Sequence, residues 1–159
     1  MGILHGIGAR KAVVAREDWI LLVVGASDGL LPVQLQKALF LLGQRFPELS
    51  RSGFYEFRPV SSGDFSEQVY ADATALLKKG LVSIRSSESE GSRKYRLTRS
   101  GVERASRIER LAPPAIAQSL RRIVAWVGTR SLAQLLRRSS AASAAPAGDP
   151  WDLTRLPSR

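Results

Sequence analysis

The amino-acid sequence predicts a mainly α-helical protein that carries one small β-hairpin. Apolar residues recur at helical spacing through several segments, two short stretches in the middle alternate as strands do, and proline or glycine residues separate these segments. At 159 residues, of which 44% are hydrophobic, the chain has room for one ordinary domain with appendages. Two large domains are excluded.

Two helices are predicted in the first third of the chain. Acidic residues open the segment 16–25, where they complement the helix dipole, and a continuous apolar run follows, as in a buried helix. A second helix begins at Pro32 and ends before Pro47. Its apolar face is formed by Leu35, Leu39, Leu42 and Phe46. Because Phe40 and Leu41 add a second apolar flank, we expect this helix to be covered on two sides, by its own domain or by a partner subunit.

The middle of the chain predicts strands around a third helix. Residues 54–58 alternate as a strand would, and a loop is expected from Pro59. The third helix runs from about Ser66 to Lys79. Residues 81–85 and 93–98 then form a hairpin, whose polar connection is expected to project into solvent.

Helices are predicted again after the hairpin. Ser100 and Glu103 have the spacing of a capping box, which predicts a helix that ends before Pro113. A second amphipathic helix ends at Gly128, and Ser131 can cap a short last one. The expected organisation is a flexible N-terminus (1–15), a winged-helix domain (16–111), C-terminal helices (112–138), and a linker with a tail (139–159).

The order of these elements is that of a winged helix-turn-helix domain followed by C-terminal helices. The junction Lys94-Tyr-Arg-Leu-Thr-Arg-Ser-Gly101 resembles the end of the wing in PadR- and MarR-type regulators. Residues 35–42, 57–70 and 76–82 more specifically resemble the YwgA-like and Panacea (SocA-like antitoxin) group of prokaryotic winged-helix proteins. The chain has Gly63-Asp64 where that group usually has Gly-Pro. The resemblance implies a winged-helix fold that binds either DNA or a protein partner.

Charge along the chain favours DNA. The formal net charge is +10, and residues 91–159 hold 14 basic and 4 acidic residues, whereas residues 47–90 are net acidic. We therefore expect a transcription regulator that contacts the phosphates of double-stranded DNA through its wing and its basic C-terminal third. The candidate DNA-binding residues are Gln68, Thr74, Lys78, Lys79, Arg93, Lys94 and Arg96. Gln68 and Thr74 have the chemistry to read base edges, but Glu67 and Asp72 in the same helix would approach phosphates.

A protein-interaction module, antitoxin-like or an adaptor, is the alternative function. The doubly apolar second helix and the tail that contains Trp151, which could bind a protein partner, favour it. A homodimer is expected in either case, through an apolar stripe on the second C-terminal helix. The stripe consists of Ile116, Leu120, Ile123, Trp126 and Val127. The competing interpretation is that this stripe packs against the first helix of its own chain.

An enzyme is not expected, nor is a cofactor or a metal. His5 is the only histidine and has no second ligand or base beside it, and the chain has no cysteine. The absence of disulfides fits a reducing compartment. The basic residues of the N-terminus follow its weak apolar stretch, which is the reverse of a secretory signal, and no apolar run is long enough to cross a membrane. A cytoplasmic location is the expectation.

Overall fold

The computed structural model describes residues 14–60, 63–86, 93–131 and 133–135. Their helices are α1 (Arg16–Gly25), α2 (Pro32–Arg45), a 3-10 helix (Pro47–Ser52), α3 (Glu67–Lys78), α4 (Arg99–Glu109) and α5 (Pro114–Gly128). Their strands form two antiparallel hairpins, β1 (Arg58–Val60) with β2 (Gly63–Phe65) and β3 (Val82–Ser86) with β4 (Arg93–Leu97). The predicted fold class, mainly α-helical with a β-hairpin wing, is confirmed.

An extended residue between α1 and α2 ties the wing to the helices. Leu30 and Tyr95 of β4 exchange two backbone hydrogen bonds, with N···O distances of 3.1 and 2.7 Å. The chain order is α1, bridge, α2, the 3-10 helix, β1, β2, α3, β3 and β4. Apart from the segment between α2 and α3, this is the order of a winged-helix domain. Helices α4 and α5 follow the wing.

Helix α1 is the centre of the core. Its residues 19–24 are all buried, and it packs against α2, α3, α4 and β4. A helix that is surrounded on every side needs apolar side chains on every side, which explains the continuous apolar run of this segment.

Both flanks of α2 are covered by the same chain. Of the two possibilities that the sequence left open, its own domain and not a partner subunit covers this helix. Helix α5 packs along α2, and the 3-10 helix and β2 pack elsewhere on it. Leu41 is buried, and the Phe40 ring meets the Phe57 ring edge-on at 5.5 Å between centroids.

The predicted strand at residues 54–58 is wrong. Residues 54–57 are irregular because consecutive side chains, Phe54 and Tyr55, are both buried, which an alternating strand does not allow. Phe54 packs edge-on against Trp19 at 6.1 Å. The strand β1 begins at Arg58 and includes Pro59, which a two-stranded hairpin tolerates at its edge.

The predicted cap of α4 is also wrong. Thr98, not Ser100, is the N-cap: its hydroxyl accepts a hydrogen bond from Gly101 N at 3.0 Å and donates one to the Gly80 carbonyl at 2.6 Å. Thr98 follows β4 directly and lies beside Gly80. The helix α4 therefore starts at Arg99, earlier than a cap at Ser100 would allow. The cap at Ser131 is confirmed, since its Oγ accepts from Gln134 N at 3.1 Å.

Some predictions concern segments that the structure does not describe. These are most of the N-terminus (1–15), the polar connection of the wing, and the linker and tail (139–159) with Trp151. Across the described ranges, every helix is too short or too polar to cross a membrane.

Candidate nucleic-acid interface

Helix α3 presents one face to the core and the other to solvent. Val69, Ala73 and Leu76 are buried. The outer face is formed by Glu67, Tyr70, Ala71, Thr74 and Lys78. Thr74 and Lys78 are candidates that the sequence predicts, whereas Tyr70, at 63% the most exposed large hydrophobic side chain among the described residues, is not among them. Its helical spacing, four residues before Thr74, is the signal that identifies it.

Asp72 on α3 is held inside the domain instead of facing a ligand. Arg16 of α1 donates to its carboxylate from Nε at 2.9 Å and from Nη2 at 3.1 Å, and the Tyr55 hydroxyl donates at 2.8 Å. The hydrogen bond to Asp72 raises the pKa of Arg16, and burial raises the pKa of Tyr55. This carboxylate therefore has its charge balanced by a fixed guanidinium.

Glu67, the other acidic residue of α3, is also paired. Arg58 of β1 donates to its carboxylate at 2.5 Å, in an ion pair whose two side chains are largely exposed. Such surface pairs contribute little stability, but this one offsets the negative charge at the start of α3. The repulsion between α3 and phosphates that the sequence suggests is therefore reduced at both positions.

The structure ties Gln68 to a neighbouring segment. Its Oε1 accepts a hydrogen bond from the backbone N–H of Glu56 at 3.0 Å. A bidentate contact to adenine needs both the amide oxygen and the amide nitrogen. Gln68 would have to release Glu56 before it could read a base in this way.

The two lysines at the end of α3 differ in their surroundings. Lys79 Nζ lies 2.6 Å from Glu17 Oε1 of α1, so its charge is already paired. Lys78 is exposed and has no partner among the described residues. Of the two candidates, Lys78 is the better placed to bind a phosphate.

The wing carries its predicted cations on two different faces. Ser83 pairs with Arg96 and Arg85 pairs with Lys94, and these side chains share one face, which we call the outer wing face. Arg93 lies opposite Ser86 on the other face, together with Tyr95, which lines a shallow cavity beside α3. Arg93 and Lys94 therefore point to opposite sides of the wing.

Arg85 and Arg96 on the outer wing face are held differently. Arg96 Nε donates to the Asp28 carbonyl at 2.6 Å, which fixes this guanidinium beside the turn between α1 and α2. Arg85 is exposed and is not among the residues that the sequence predicts for the site. Alternation along β3 identifies it once the register of the hairpin is known.

The predicted dimerisation stripe is already covered within the chain. Ile116, Leu120, Ile123 and Val127 are buried, and α5 packs chiefly against α2, with a smaller contact to α1. Gln34 Nε2 of α2 donates to the Val127 carbonyl at 3.5 Å. Trp126 is half-buried, and the Arg130 guanidinium lies 4.7 Å above its ring. The homodimer stays a prediction, and a dimer contact through α5 would have to use its other face.

Part of the positive charge of the C-terminal third is used inside the domain. Arg104 of α4 donates from Nε to the buried Asp18 at 3.0 Å, and this hydrogen bond raises the pKa of Arg104. Arg121 pairs with Glu109 at 2.8 Å. Arg104 is therefore less available to a nucleic acid than a count of charges suggests, whereas the exposed Arg121–Glu109 pair is a weak surface interaction.

Metal ligands and known relatives give no further guide to the site. In the part of the chain that the structure describes, no three His, Asp or Glu side chains are grouped so that they could hold a metal ion. No protein-family model matches this sequence, and no curated protein is recognisably similar to it.

Proposed function

We propose that this protein is a cytoplasmic, winged-helix transcription regulator that binds double-stranded DNA. In this proposal the outer face of α3 enters the major groove, and the wing and the basic C-terminal third contact phosphates. Tyr70, Thr74 and Lys78 would face the DNA from α3, and Arg93 and Lys94 from the two faces of the wing. Specific reading of bases would come from Thr74 and Tyr70, with the lysines and arginines fixing the register.

The observation that carries the proposal is the pairing of both α3 carboxylates. Asp72 is bound by Arg16 and Tyr55, and Glu67 is bound by Arg58. The outer face of α3 therefore lacks an unpaired carboxylate, although the helix contains two. An exposed helix face with balanced acids, next to a hairpin that carries four cations, is the surface on which a phosphate backbone meets least repulsion.

The test is a fluorescence-anisotropy titration of the purified protein with random duplex DNA and then with genomic fragments, across a salt series. We expect binding whose logarithm falls steeply with the logarithm of the salt concentration, together with selection of particular fragments. The variant Arg93→Ala/Lys94→Ala should weaken binding to all sequences alike and reduce the salt slope by about two.

The matched control is Arg45→Ala/Arg51→Ala, which removes the same charge from the region around the 3-10 helix. It should leave the salt slope unchanged if the wing is the phosphate-binding surface. Equal losses in the two variants would show that binding follows net charge alone. Weak or absent binding of wild-type protein at physiological salt would contradict the proposal and favour a protein-interaction module.

A further inference from the structure

A groove lies on the side of the wing that faces away from α3. It has a volume of about 520 Å³ and is formed by the outer wing face, the start of α4, and the turn between α1 and α2. Because Tyr95 faces α3 and its neighbour Arg96 faces the groove, the two surfaces lie on opposite faces of the same strand. The groove is therefore distinct from the α3 face proposed for the major groove of DNA.

Three arginines line this groove. Arg85 comes from β3, Arg96 from β4 and Arg99 from the first turn of α4. Asp28 is the one carboxylate in the described lining, so the charges of these four side chains sum to a positive value. Arg96 is held in place by its hydrogen bond to the Asp28 carbonyl. Arg99 is almost fully exposed and lies 3.8 Å from Glu103, a weak surface pair that an anion can displace.

The other lining residues add an apolar wall and the start of a helix. Val24, Leu97 and Val102 form the apolar part, and Val102 is 52% exposed although it is a large hydrophobic residue. The dipole of α4 favours negative charge at this end of the helix, although the Gly101 amide already donates to the Thr98 hydroxyl. The groove thus combines guanidinium groups for an anion with apolar surface for an attached ring.

We propose that this groove binds a small phosphate monoester that carries an aromatic or heterocyclic body, with Arg85 and Arg99 holding the phosphate. The phosphate chemistry is shared with the DNA backbone, but two observations favour the small molecule. The lining residues belong mainly to the end of the hairpin next to α3 and α4, not to its turn, and the surface is concave.

Isothermal titration calorimetry with adenosine 5′-monophosphate tests the site, with adenosine as the probe that lacks the phosphate. Wild-type protein should bind the monophosphate at least about tenfold more tightly than adenosine, because each charge-assisted hydrogen bond is worth about a factor of ten. Arg85→Ala and Arg99→Ala should each weaken monophosphate binding by about the same factor. Arg96 is left intact in this design because its hydrogen bond also supports the turn at Asp28.

The control variant is Arg107→Ala, which removes an exposed arginine from the same helix outside the groove. It should bind the monophosphate as wild type does. No binding of the monophosphate to wild-type protein, or equal binding by all three variants, would overturn the proposal. The proposal would also be overturned if the groove binds only DNA. In that case Arg85→Ala and Arg99→Ala would weaken duplex binding, and the monophosphate would not bind.

The outcome is separable from the test of DNA binding. If the protein binds the monophosphate through Arg85 and Arg99 and binds no duplex, the proposed ligand site is supported and the proposed regulator function is contradicted. If it binds duplex DNA through Arg93 and Lys94 and does not bind the monophosphate, the proposed regulator function is supported and the proposed ligand site is contradicted.

Discussion

The arginines around α1 and the arginines of the wing have the same chemistry and opposite surroundings. Arg16 and Arg104 each direct a guanidinium at a carboxylate in the domain, Asp72 and Asp18, through two hydrogen bonds. Arg85 and Arg93 of the wing are exposed, with no acidic partner among the described residues. We call the first region the α1 junction. The comparison teaches that availability for a ligand depends on pairing, which net charge alone does not reveal.

The largest effect is expected at the base of the wing, where α4 begins. A Cβ atom on Gly101 would overlap the carbonyl oxygen of Leu81 and lie 3.0 Å from its carbonyl carbon. Because the obstacle is backbone, Gly101→Ala must displace the start of α4, and we expect a loss of about 3 kcal/mol or more in the free energy of unfolding. Urea denaturation measures it. Gly128→Ala is the control, since a methyl group added there would meet nothing within 4 Å and a helical alanine is favourable. Similar results for both variants would refute a tightly packed base.

The second prediction compares the two regions directly. Asp18→Ala leaves the Arg104 guanidinium without its partner beside a position that is only 4% exposed. We expect a loss of about 2 kcal/mol, below the range for a fully buried pair because Arg104 is 40% exposed in its side chain. Arg85→Ala in the wing should change stability by less than about 0.5 kcal/mol. Thermal and urea unfolding of the two variants measures these losses. Equal losses of unfolding free energy would contradict the distinction between the paired arginine of the α1 junction and the exposed arginine of the wing.

The third prediction concerns alkaline pH at the α1 junction. Burial, and then the hydrogen bond to Asp72, raise the pKa of Tyr55. The folded protein therefore keeps a proton that the unfolded chain releases above about pH 10. The stabilisation that this proton provides is fully present below that pH and is lost as the pH rises further. Tyr55→Phe should cost about 1 kcal/mol at neutral pH through the lost hydrogen bond. Its unfolding free energy should also fall less steeply above pH 10.

Unfolding curves of wild type and Tyr55→Phe between pH 7 and about pH 11 measure this difference. Burial also raises the pKa of Tyr95, so the variant should keep part of the alkaline loss. Parallel curves for the two proteins would show that Tyr55 releases its proton as easily in the folded state as in the unfolded one.

Much of the fold follows from local patterns, whereas the state of the site depends on distant contacts. The bounds of α3 follow from apolar spacing within one segment, so the sequence predicts them to within about one residue. The partner of Asp72 is Arg16, 56 residues away, and no local pattern identifies it. The register that places Arg85 beside Lys94 is set by hairpin pairing, and a long polar connection leaves it open in the sequence.

The same limit explains the wrong strand at residues 54–58 and the two interpretations of the α5 stripe. Alternation at residues 54–58 predicts a strand, but Phe54 and Tyr55 turn inward together because Trp19 and Asp72 lie behind them. The stripe on α5 has the spacing of an interface, yet α2 of the same chain covers it. In both cases the periodicity of the sequence fits two structures, and only tertiary packing distinguishes between them.

The smallest effect sharpens the comparison within a single helix end. Lys78 and Lys79 are neighbours in sequence, but only Lys79 has its charge paired, with Glu17 of the α1 junction at 2.6 Å. If the protein binds DNA as proposed, Lys78→Ala should reduce the salt slope of duplex binding by about one, as expected for one lost phosphate contact. Lys79→Ala should reduce it by clearly less, because that charge is already offset. Both variants remove one positive charge, so net charge cannot distinguish them. Equal slopes would mean that Glu17 releases Lys79 to the DNA, and pairing seen in the isolated chain would then be a poor guide to which cations meet phosphate.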